Sequence, residues 1–349
     1  MPIVPNFIER LLLFGLNQGP APMLDFFGAL ALRATCVAIK LGVFEALSGG
    51  PLTPGEIAHR IKADEQGTTL LLEALDSLGY VKKKGGRYAN TSMAAKWLLQ
   101  SSPSTLADGF RFFDSWATEQ WEHLEESIAQ GKPAVPFYEW LAERPGGWQE
   151  YEAGMIAVAR PVADEIAARV KLPATARQLL DVGGGHGLYA IKLCRRYRRL
   201  SATVFDLPEA LEVTRKVIAA EEMGDRVSVR AGDFWVDNLG SGHDVALLFN
   251  IVNSYPPERS TELLRKVAGA LNPGGLLVIL DQFKGAARGP TAKVVAGLMA
   301  LSLFNGLGGR AYEFDEIARW LSAAGFGNPR RLNLFRTPGQ SLVLATKAQ

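Results

Sequence analysis

Short, strongly apolar segments alternate with helical segments from about residue 176 onward, and this pattern constrains the fold more than any other feature of the chain. The segments read QLLDVGG, SATVFDL, VSVRAGD, VALLFNIV, GLLVILD, RRLNLFR and SLVLATK. They are too apolar for half-exposed strands, and strands that alternate with helices indicate a parallel sheet covered on both faces. A tight turn, TPGQ, joins the last two strands, so we expect the final strand to be antiparallel. The pattern predicts an α/β fold with a doubly wound, mostly parallel, seven-stranded sheet.

The first 100 residues are mostly helical and contain a second module. A helix over 54–61, a turn, a helix over 65–78 and a hairpin with Gly85 and Gly86 at its turn give the winged-helix order. Such a module serves either dimerisation or DNA binding. The second helix would enter the groove of DNA, but it carries acidic residues and no lysine or arginine, which phosphate contacts require. The charges therefore favour a dimerisation domain, and we expect no nucleic-acid partner.

Composition narrows the class of protein. The chain has 349 residues, 48% hydrophobic and 21% charged, with a formal net charge of +2, so no global field attracts nucleic acid or anionic membranes. Its two cysteines, Cys36 and Cys194, fit neither a disulfide framework nor a metal site, which favours the reducing cytoplasm. We expect no membrane span, because no uninterrupted apolar stretch approaches the roughly 20 residues that a bilayer requires.

Residues 179–193, LLDVGGGHGLYAIKL, are typical of a strand, a glycine-rich turn and a helix. Gly183, Gly185 and Gly187 allow a tight turn and a close approach of the backbone to a ligand. The alternatives are a purely structural turn and a nicotinamide or flavin site. The dinucleotide fingerprint is G-x-G-x-x-G, whereas here Leu188 stands in place of its third glycine.

The next two strand ends also offer groups that suit a nucleoside. Asp206 lies 21 residues beyond Gly185, where a carboxylate can accept both ribose hydroxyls. Asp233 and Phe234 end the following strand, and a carboxylate with an aromatic ring suits the amine and the face of adenine. The three strand ends predict a nucleoside site at the carboxyl edge of the sheet.

The motifs DVGGGHG, VFDLPE and GDFW, with the terminal antiparallel strand, resemble those of class I S-adenosylmethionine-dependent methyltransferases. The winged-helix module and YEAGM at 151–155 are similar to the small-molecule O-methyltransferase family of caffeate, isoflavone and hydroxyindole methyltransferases and bacterial antibiotic-tailoring enzymes. The resemblance implies a dimerisation domain at 1–100, an aromatic-rich helical region at 101–170 that lines an acceptor pocket, and a Rossmann-like methyltransferase domain at 171–349. It also implies a homodimer, a small-molecule acceptor and no metal.

The same resemblance implies roles for individual residues. It places Gly183 and Gly185 near the methionine part of S-adenosylmethionine, Asp206 on the ribose, and Asp233 with Phe234 around the adenine. The implied cofactor-binding residues are Gly183, Gly185, Asp206, Leu207, Asp233 and Phe234. The candidate acceptor-binding residues are Met155, Asn253, Met299 and Asn305.

The chain departs from the family at the catalytic base. The family has a histidine in a motif like L-H-D-W after the fourth strand, where this chain has Asn253 followed by Ser254. The supporting glutamate of a motif like G-K-E-R-T corresponds to Ala311, and Glu313 lies two positions on. None of the four histidines is well placed to substitute, because a general base must lie within hydrogen-bond reach of its proton. They are His59, His123, His186 and His243.

The rate contributions of a general base and of positioning indicate that methyl transfer is possible without the histidine base. A positioned base contributes about 10²–10⁴-fold, or roughly 3–5 kcal/mol, whereas holding two reactants in line contributes about 7–11 kcal/mol. The sulfonium is already an activated donor. We therefore expect transfer by proximity, with Asn253 orienting an already nucleophilic acceptor. Two alternatives stay open: a non-methylating enzyme that uses the sulfonium as a fixed charge, and a catalytically inactive winged-helix binding protein.

Overall fold

The computed structural model describes residues 3–337 and 339–349. The chain divides into two compact units, the first ending at Trp116 and the second beginning at Ala117. The division predicted from the sequence, at residues 100 and 170, stays a prediction.

The first unit contains the predicted helix, turn, helix and hairpin. Its helices are α1 (Phe7–Arg10), a π-helical turn (Leu11–Gly15), α2 (Met23–Leu41), α3 (Val43–Ala46), α4 (Pro54–Ile61), α5 (Glu65–Ser77), α6 (Ser92–Trp97) and α7 (Ala107–Thr118), which ends just inside the second unit. The hairpin pairs β1 (Val81–Lys84) with β2 (Arg87–Asn90). Thr53 and Asp64 cap the N-termini of α4 and α5 through their side chains. Gly85 and Gly86 both have positive φ, as a two-residue type I′ turn requires.

The amino-terminal part of this unit exposes many large apolar side chains. They are Ile3, Val4, Phe7, Ile8, Leu11, Leu12, Phe14, Leu16, Met23, Phe26, Phe27, Leu30 and Leu41. Exposed apolar surface on this scale is typical of a surface that another chain covers.

The second unit begins with helices and continues as a sheet wrapped by helices. Its first helices are a 3₁₀ turn (Gln120–His123), α8 (Leu124–Gln130), α9 (Phe137–Glu143) and α10 (Gly147–Arg169). The strands are β3 (Gln178–Val182), β4 (Ser201–Asp206), β5 (Val227–Ala231), β6 (His243–Phe249), β7 (Leu271–Gln282), β8 (Phe326–Asn333) and β9 (Gln340–Lys347). The later helices are α11 (Leu188–Arg196), α12 (Pro208–Ala220), a 3₁₀ turn (Val252–Ser254), α13 (Pro257–Ala270), α14 (Pro290–Leu307) and α15 (Phe314–Ala323).

The predicted fold class is confirmed. In the described residues seven strands form one sheet in the order β5-β4-β3-β6-β7-β9-β8. Strands β3 to β7 pair in parallel, and β9 is antiparallel to both neighbours. The strand order reverses between β3 and β6, and ligands of such sheets bind beyond the carboxyl ends of the strands at that point.

Both faces of the sheet are buried, which explains the apolar runs. Leu179 faces one hydrophobic core, and its neighbour Leu180 faces the other. Alternate side chains of a strand point to opposite faces, so a strand covered on both sides must be apolar throughout.

Helix α14 is the one helix in residues 3–337 and 339–349 that is long and apolar enough to cross a membrane by length and composition. Only 17% of this helix is buried, and one such helix is weak evidence for a membrane span. Helix α14 packs against the Val252–Ser254 turn and the Gln120–His123 turn.

Candidate active site

The glycine loop, residues 183–187 between β3 and α11, forms the centre of the carboxyl edge. Gly183, Gly185 and Gly187 have φ angles of 65°, 48° and 70°, a region that side chains disfavour. A Cβ atom on Gly183 would lie 2.6 Å from Cδ1 of Ile251, and one on Gly185 would lie 3.1 Å from Oε2 of Glu152. The sequence therefore needs glycine here, and the backbone itself lines the edge of the sheet.

Asp206 connects the glycine loop to the end of β4. Its Oδ2 accepts a hydrogen bond of 2.7 Å from the backbone N–H of Gly185, and its Oδ1 accepts one of 2.7 Å from that of Leu207. Burial raises the pKa of Asp206 to about 6, and the two backbone hydrogen bonds oppose that rise. The carboxylate is thus held in a fixed position beside the glycine loop.

Asp233 and Phe234 follow β5 on the next loop. Oδ1 of Asp233 accepts a hydrogen bond of 2.8 Å from the backbone N–H of Trp235, which fixes the carboxylate. The Phe234 ring lies 3.6 Å from the position that a Cβ on Gly183 would take. The structure thus brings the predicted cofactor residues of three consecutive strand ends to one edge; their roles towards individual cofactor atoms stay predictions.

Two further carboxylates lie at this edge. Asp181, at the end of β3, is fully buried, and neither of its oxygens has a hydrogen-bond partner in the part of the chain that is described. Burial, with a smaller contribution from Asp206, raises the pKa of Asp181 to about 7. Glu152, on α10, is also buried and borders Gly185. No period or spacing in the sequence connects Glu152 to the glycine loop, although it lies in the YEAGM motif.

Asn253 lies on the 3₁₀ turn after β6 and is 3% exposed. Its backbone N–H donates a hydrogen bond of 3.3 Å to Oδ2 of Asp281, a buried residue of β7. Its carbonyl oxygen accepts a hydrogen bond of 3.0 Å from the backbone N–H of Arg310, after α14. Gly309 permits this contact, because a Cβ there would overlap the carbonyl oxygen of Asn253. The Asn253 turn is therefore clamped from two sides.

The other acceptor candidates occupy different environments. Asn305 on α14 is fully buried, and its Nδ2 donates to the side-chain and backbone oxygens of Gln120 at 2.9 and 3.1 Å. Its Oδ1 has no partner among the described residues. Met299 on α14 and Met155 on α10 are partly exposed. Their contacts with an acceptor stay predictions.

Aromatic side chains of α9 and α10 lie near the same edge. Tyr138 stacks on Trp148 with ring centroids 5.8 Å apart, and Tyr151 meets Phe137 edge to face at 5.3 Å. Burial raises the pKa of both tyrosines, and for Tyr151 the neighbouring charge of Glu152 raises it further.

Two of the four histidines, His186 and His59, lie in surroundings that do not favour a general base. His186, in the glycine loop, accepts a hydrogen bond of 3.1 Å at Nδ1 from the N–H of Leu188, and burial lowers its pKa to about 4. His59 is exposed in the first unit. Glu313 is also exposed, where it caps α15 and lies 3.6 Å from the ammonium of Lys284.

The glycine loop, the carboxylate after β4 and the Asp–Phe pair after β5 define a class I S-adenosylmethionine-dependent methyltransferase. Residues 121–327 match the family model of the O-methyltransferase domain, and residues 25–101 match that of the O-methyltransferase dimerisation domain. The chain belongs to the O-methyltransferase family. The family, fold and cofactor expected from the sequence motifs are thereby confirmed.

Several relatives match along nearly the whole chain. A 3-hydroxy-5-methyl-1-naphthoate 3-O-methyltransferase of Streptomyces sahachiroi is 31% identical over 321 residues, covering 91% of this chain and 92% of that protein. The tetracenomycin polyketide synthesis 8-O-methyl transferase TcmO of Streptomyces glaucescens is 29% identical, covering 90% and 93%. The crystal structure of human N-acetylserotonin methyltransferase in complex with S-adenosylmethionine shares the fold, with a TM-score of 0.83 over 100% of both chains and 22% identity.

The residues at the carboxyl edge fit S-adenosylmethionine, the cofactor of this enzyme. The glycine loop leaves no side chain between the backbone and a ligand, and Asp206 is held in place by two backbone N–H groups. Buried carboxylate oxygens on Asp181 and Glu152, which lack a donor among the described residues, suit a ligand that carries positive charge.

Proposed function

We propose that the enzyme methylates a small, flat aromatic or polyketide-like acceptor by proximity and orientation, with Asn253 orienting the acceptor. The observation that supports this most is the buried, doubly clamped turn that presents an amide where the family has a histidine. The two Streptomyces relatives are named for a naphthoate and for a polyketide pathway, which favours an acceptor of this kind.

The residues have separate tasks in this mechanism. When bound, S-adenosylmethionine supplies a methyl group already activated by the sulfonium. Gly183 and Gly185 would accommodate its methionine half, Asp206 and Leu207 its ribose, and Asp233 with Phe234 its adenine. The amide of Asn253 cannot accept a proton at neutral pH, but its N–H can donate to an acceptor oxygen. The acceptor must then lose its proton to solvent and arrive as a phenolate or an enolate-like nucleophile.

We also propose that the enzyme acts as a homodimer in the cytoplasm. The dimerisation-domain match at residues 25–101 and the exposed apolar side chains between Ile3 and Leu41 support the dimer. Sedimentation at several concentrations tests it, and a monomer at micromolar concentration would contradict it.

The role of Asn253 can be tested by measuring methyl transfer from labelled S-adenosylmethionine to a panel of acceptors. The panel contains phenols of graded acidity, enolisable ketones and amines. Asn253→Ala should slow transfer only about tenfold, because it removes one oriented hydrogen bond rather than a base. Asn253→His should not accelerate transfer to the most acidic phenols. The exposed Asn238→Ala is the matched control.

The rate should rise with the acidity of the acceptor across the panel. A loss of about 10³-fold or more in Asn253→Ala would indicate that the amide does more than orient. Tight cofactor binding with no acceptor ever methylated would contradict the proposal, and turnover without consumption of the cofactor would identify the fixed-charge alternative.

A further inference from the structure

Glu152 is a buried acid that borders the cofactor loop. It lies near the start of α10 and is 3% exposed. Its carboxylate is close to the backbone of Gly185, since a Cβ there would lie 3.1 Å from Oε2 and 3.2 Å from Oε1. An acid in such a position is costly unless something donates to it or carries positive charge.

The protein satisfies this carboxylate only in part. The backbone N–H of His186 donates to it. Oε2 has no hydrogen-bond partner within residues 3–337 and 339–349, and the negative charge of Asp206 is close enough to act on it. Burial and that charge raise the pKa of Glu152 well above its usual range. A cationic donor beside Oε2 would relieve both costs, since a buried charge is stable only when it is paired and hydrogen-bonded.

The chemistry of the cofactor selects the donor. S-adenosylmethionine has two cationic groups, the sulfonium, which has no N–H, and the α-ammonium, which has three N–H donors. Asp206 and Asp233 are the groups proposed for the ribose and the adenine. Glu152 borders the glycine loop, the part of the site proposed for the methionine half. We propose that Glu152 binds the α-ammonium group of S-adenosylmethionine.

Two competing roles for Glu152 predict different behaviour. A purely structural Glu152 would hold the glycine loop through the His186 N–H and would affect every part of the cofactor equally. A metal ligand is a poorer assignment, because no group of three or more His, Cys, Asp or Glu side chains in the described ranges is arranged to hold a metal ion. The ammonium-binding role rests on the cofactor assignment and is independent of the acceptor.

Ligands that lack one group separate these cases. We would measure by calorimetry the dissociation constants of S-adenosylhomocysteine, its α-deaminated analogue and 5′-methylthioadenosine, which lacks the whole amino-acid half. In Glu152→Gln, S-adenosylhomocysteine should bind at least about tenfold more weakly, the loss typical of one charge-assisted hydrogen bond. The two analogues without the ammonium should bind within about twofold of their wild-type values.

Two variants keep the comparison interpretable. Glu165→Gln, on the same helix, removes a charge that accepts hydrogen bonds from the backbone N–H groups of Phe335 and Arg336, and it should change none of the three constants. Glu152→Asp retains the charge and should lose less affinity for S-adenosylhomocysteine than Glu152→Gln. Thermal unfolding confirms that each variant is folded.

If Glu152→Gln binds all three ligands more weakly by the same factor, the proposal is overturned, and Glu152 instead holds the glycine loop in place. Unchanged binding of S-adenosylhomocysteine would overturn it in favour of another ammonium-binding group, with Asp181→Asn as the next variant. If the wild-type protein binds none of the three ligands, the cofactor assignment itself fails, which is a separate result.

Discussion

The two halves of the carboxyl edge are built in different ways. On the cofactor side, consecutive strand ends contact each other directly, since the N–H groups of Gly185 and Gly232 both donate hydrogen bonds to Asp206. On the proposed acceptor side, Asn253 is held by Asp281 on the next strand, β7, and also by the segment around Gly309, which follows α14. The proposed cofactor side is made by contacts between consecutive strand ends, whereas the proposed acceptor side adds a contact with a segment that follows a later helix.

This difference follows from the chemistry on each side. The cofactor is the same throughout the family, so its ribose, adenine and methionine require fixed groups at fixed strand ends. The acceptor varies between relatives, and the helices that surround it can change without disturbing the sheet. The proposed replacement of a histidine base by Asn253 would be a change on the acceptor side of this kind. The comparison predicts that the two sides can be damaged separately.

Gly309→Ala should have the largest effect of the variants considered, and this effect should be confined to the acceptor side. Its Cβ would overlap the carbonyl oxygen of Asn253 and would lie 2.6 Å from the carbonyl carbon of Ser254, so the turn has to move. Misplacement of a reacting group by about 1 Å costs about 10²-fold in rate. We expect kcat/KM for methyl transfer to fall about 100-fold, while the dissociation constant of S-adenosylhomocysteine changes by less than about twofold.

Gly297→Ala, on α14, is the matched control, because nothing lies within 4 Å of its Cβ position. It should leave both quantities unchanged. If Gly309→Ala weakens S-adenosylhomocysteine as strongly as it lowers kcat/KM, the two sides are not separable and the comparison fails.

The same contrast explains what could be predicted from the sequence. The doubly wound, mostly parallel sheet follows from local periodicity and from the rules for connecting parallel strands. Those rules also bring Asp206, Asp233 and the glycine loop to one edge. The contact of Glu152 with Gly185 depends on how α10 packs, which no local pattern encodes.

The acceptor side contains more contacts of this kind. Asn305 is predicted as an acceptor contact because it lies in the apolar segment 297–309. Its partner Gln120 lies 185 residues earlier in the chain, on a separate 3₁₀ turn. Periodicity predicts which face of a helix is apolar, but it does not identify the residue that a buried amide meets.

Asp181→Asn should have the next largest effect, this time on the cofactor side. The pKa of Asp181 is raised to about 7 in the folded protein, against about 3.9 when unfolded. The folded state therefore binds more protons between these values, and the ligand-free enzyme loses stability as the pH rises through this window. The unfolding free energy of the wild type should decrease between about pH 5 and pH 8. In Asp181→Asn this decrease should be smaller by about 2 kcal/mol.

Chemical denaturation at several pH values measures this effect. Asp225→Asn is the control, because its exposed carboxylate is 4.0 Å from Arg226 and should contribute little. The pKa of Asp206 is also raised, so Asp206 also lowers the unfolding free energy as the pH rises. That part of the pH dependence remains in Asp181→Asn. If the unfolding free energy of Asp181→Asn depends on pH as that of the wild type does, the pKa of Asp181 is not raised in the folded protein.

The smallest effect concerns Asn305, on the acceptor side. Asn305→Ala leaves the side-chain and backbone oxygens of Gln120 without their donor, at a cost of about 1 kcal/mol or slightly more in unfolding free energy. If its Oδ1 also contacts the acceptor, the KM for the acceptor should rise about fivefold with the affinity for S-adenosylhomocysteine unchanged. Ser302→Ala, which removes only a hydrogen bond to Leu298 within α14, is the control. Loss of stability with an unchanged KM would assign Asn305 to the support of α14 and leave Asn253 to orient the acceptor without it.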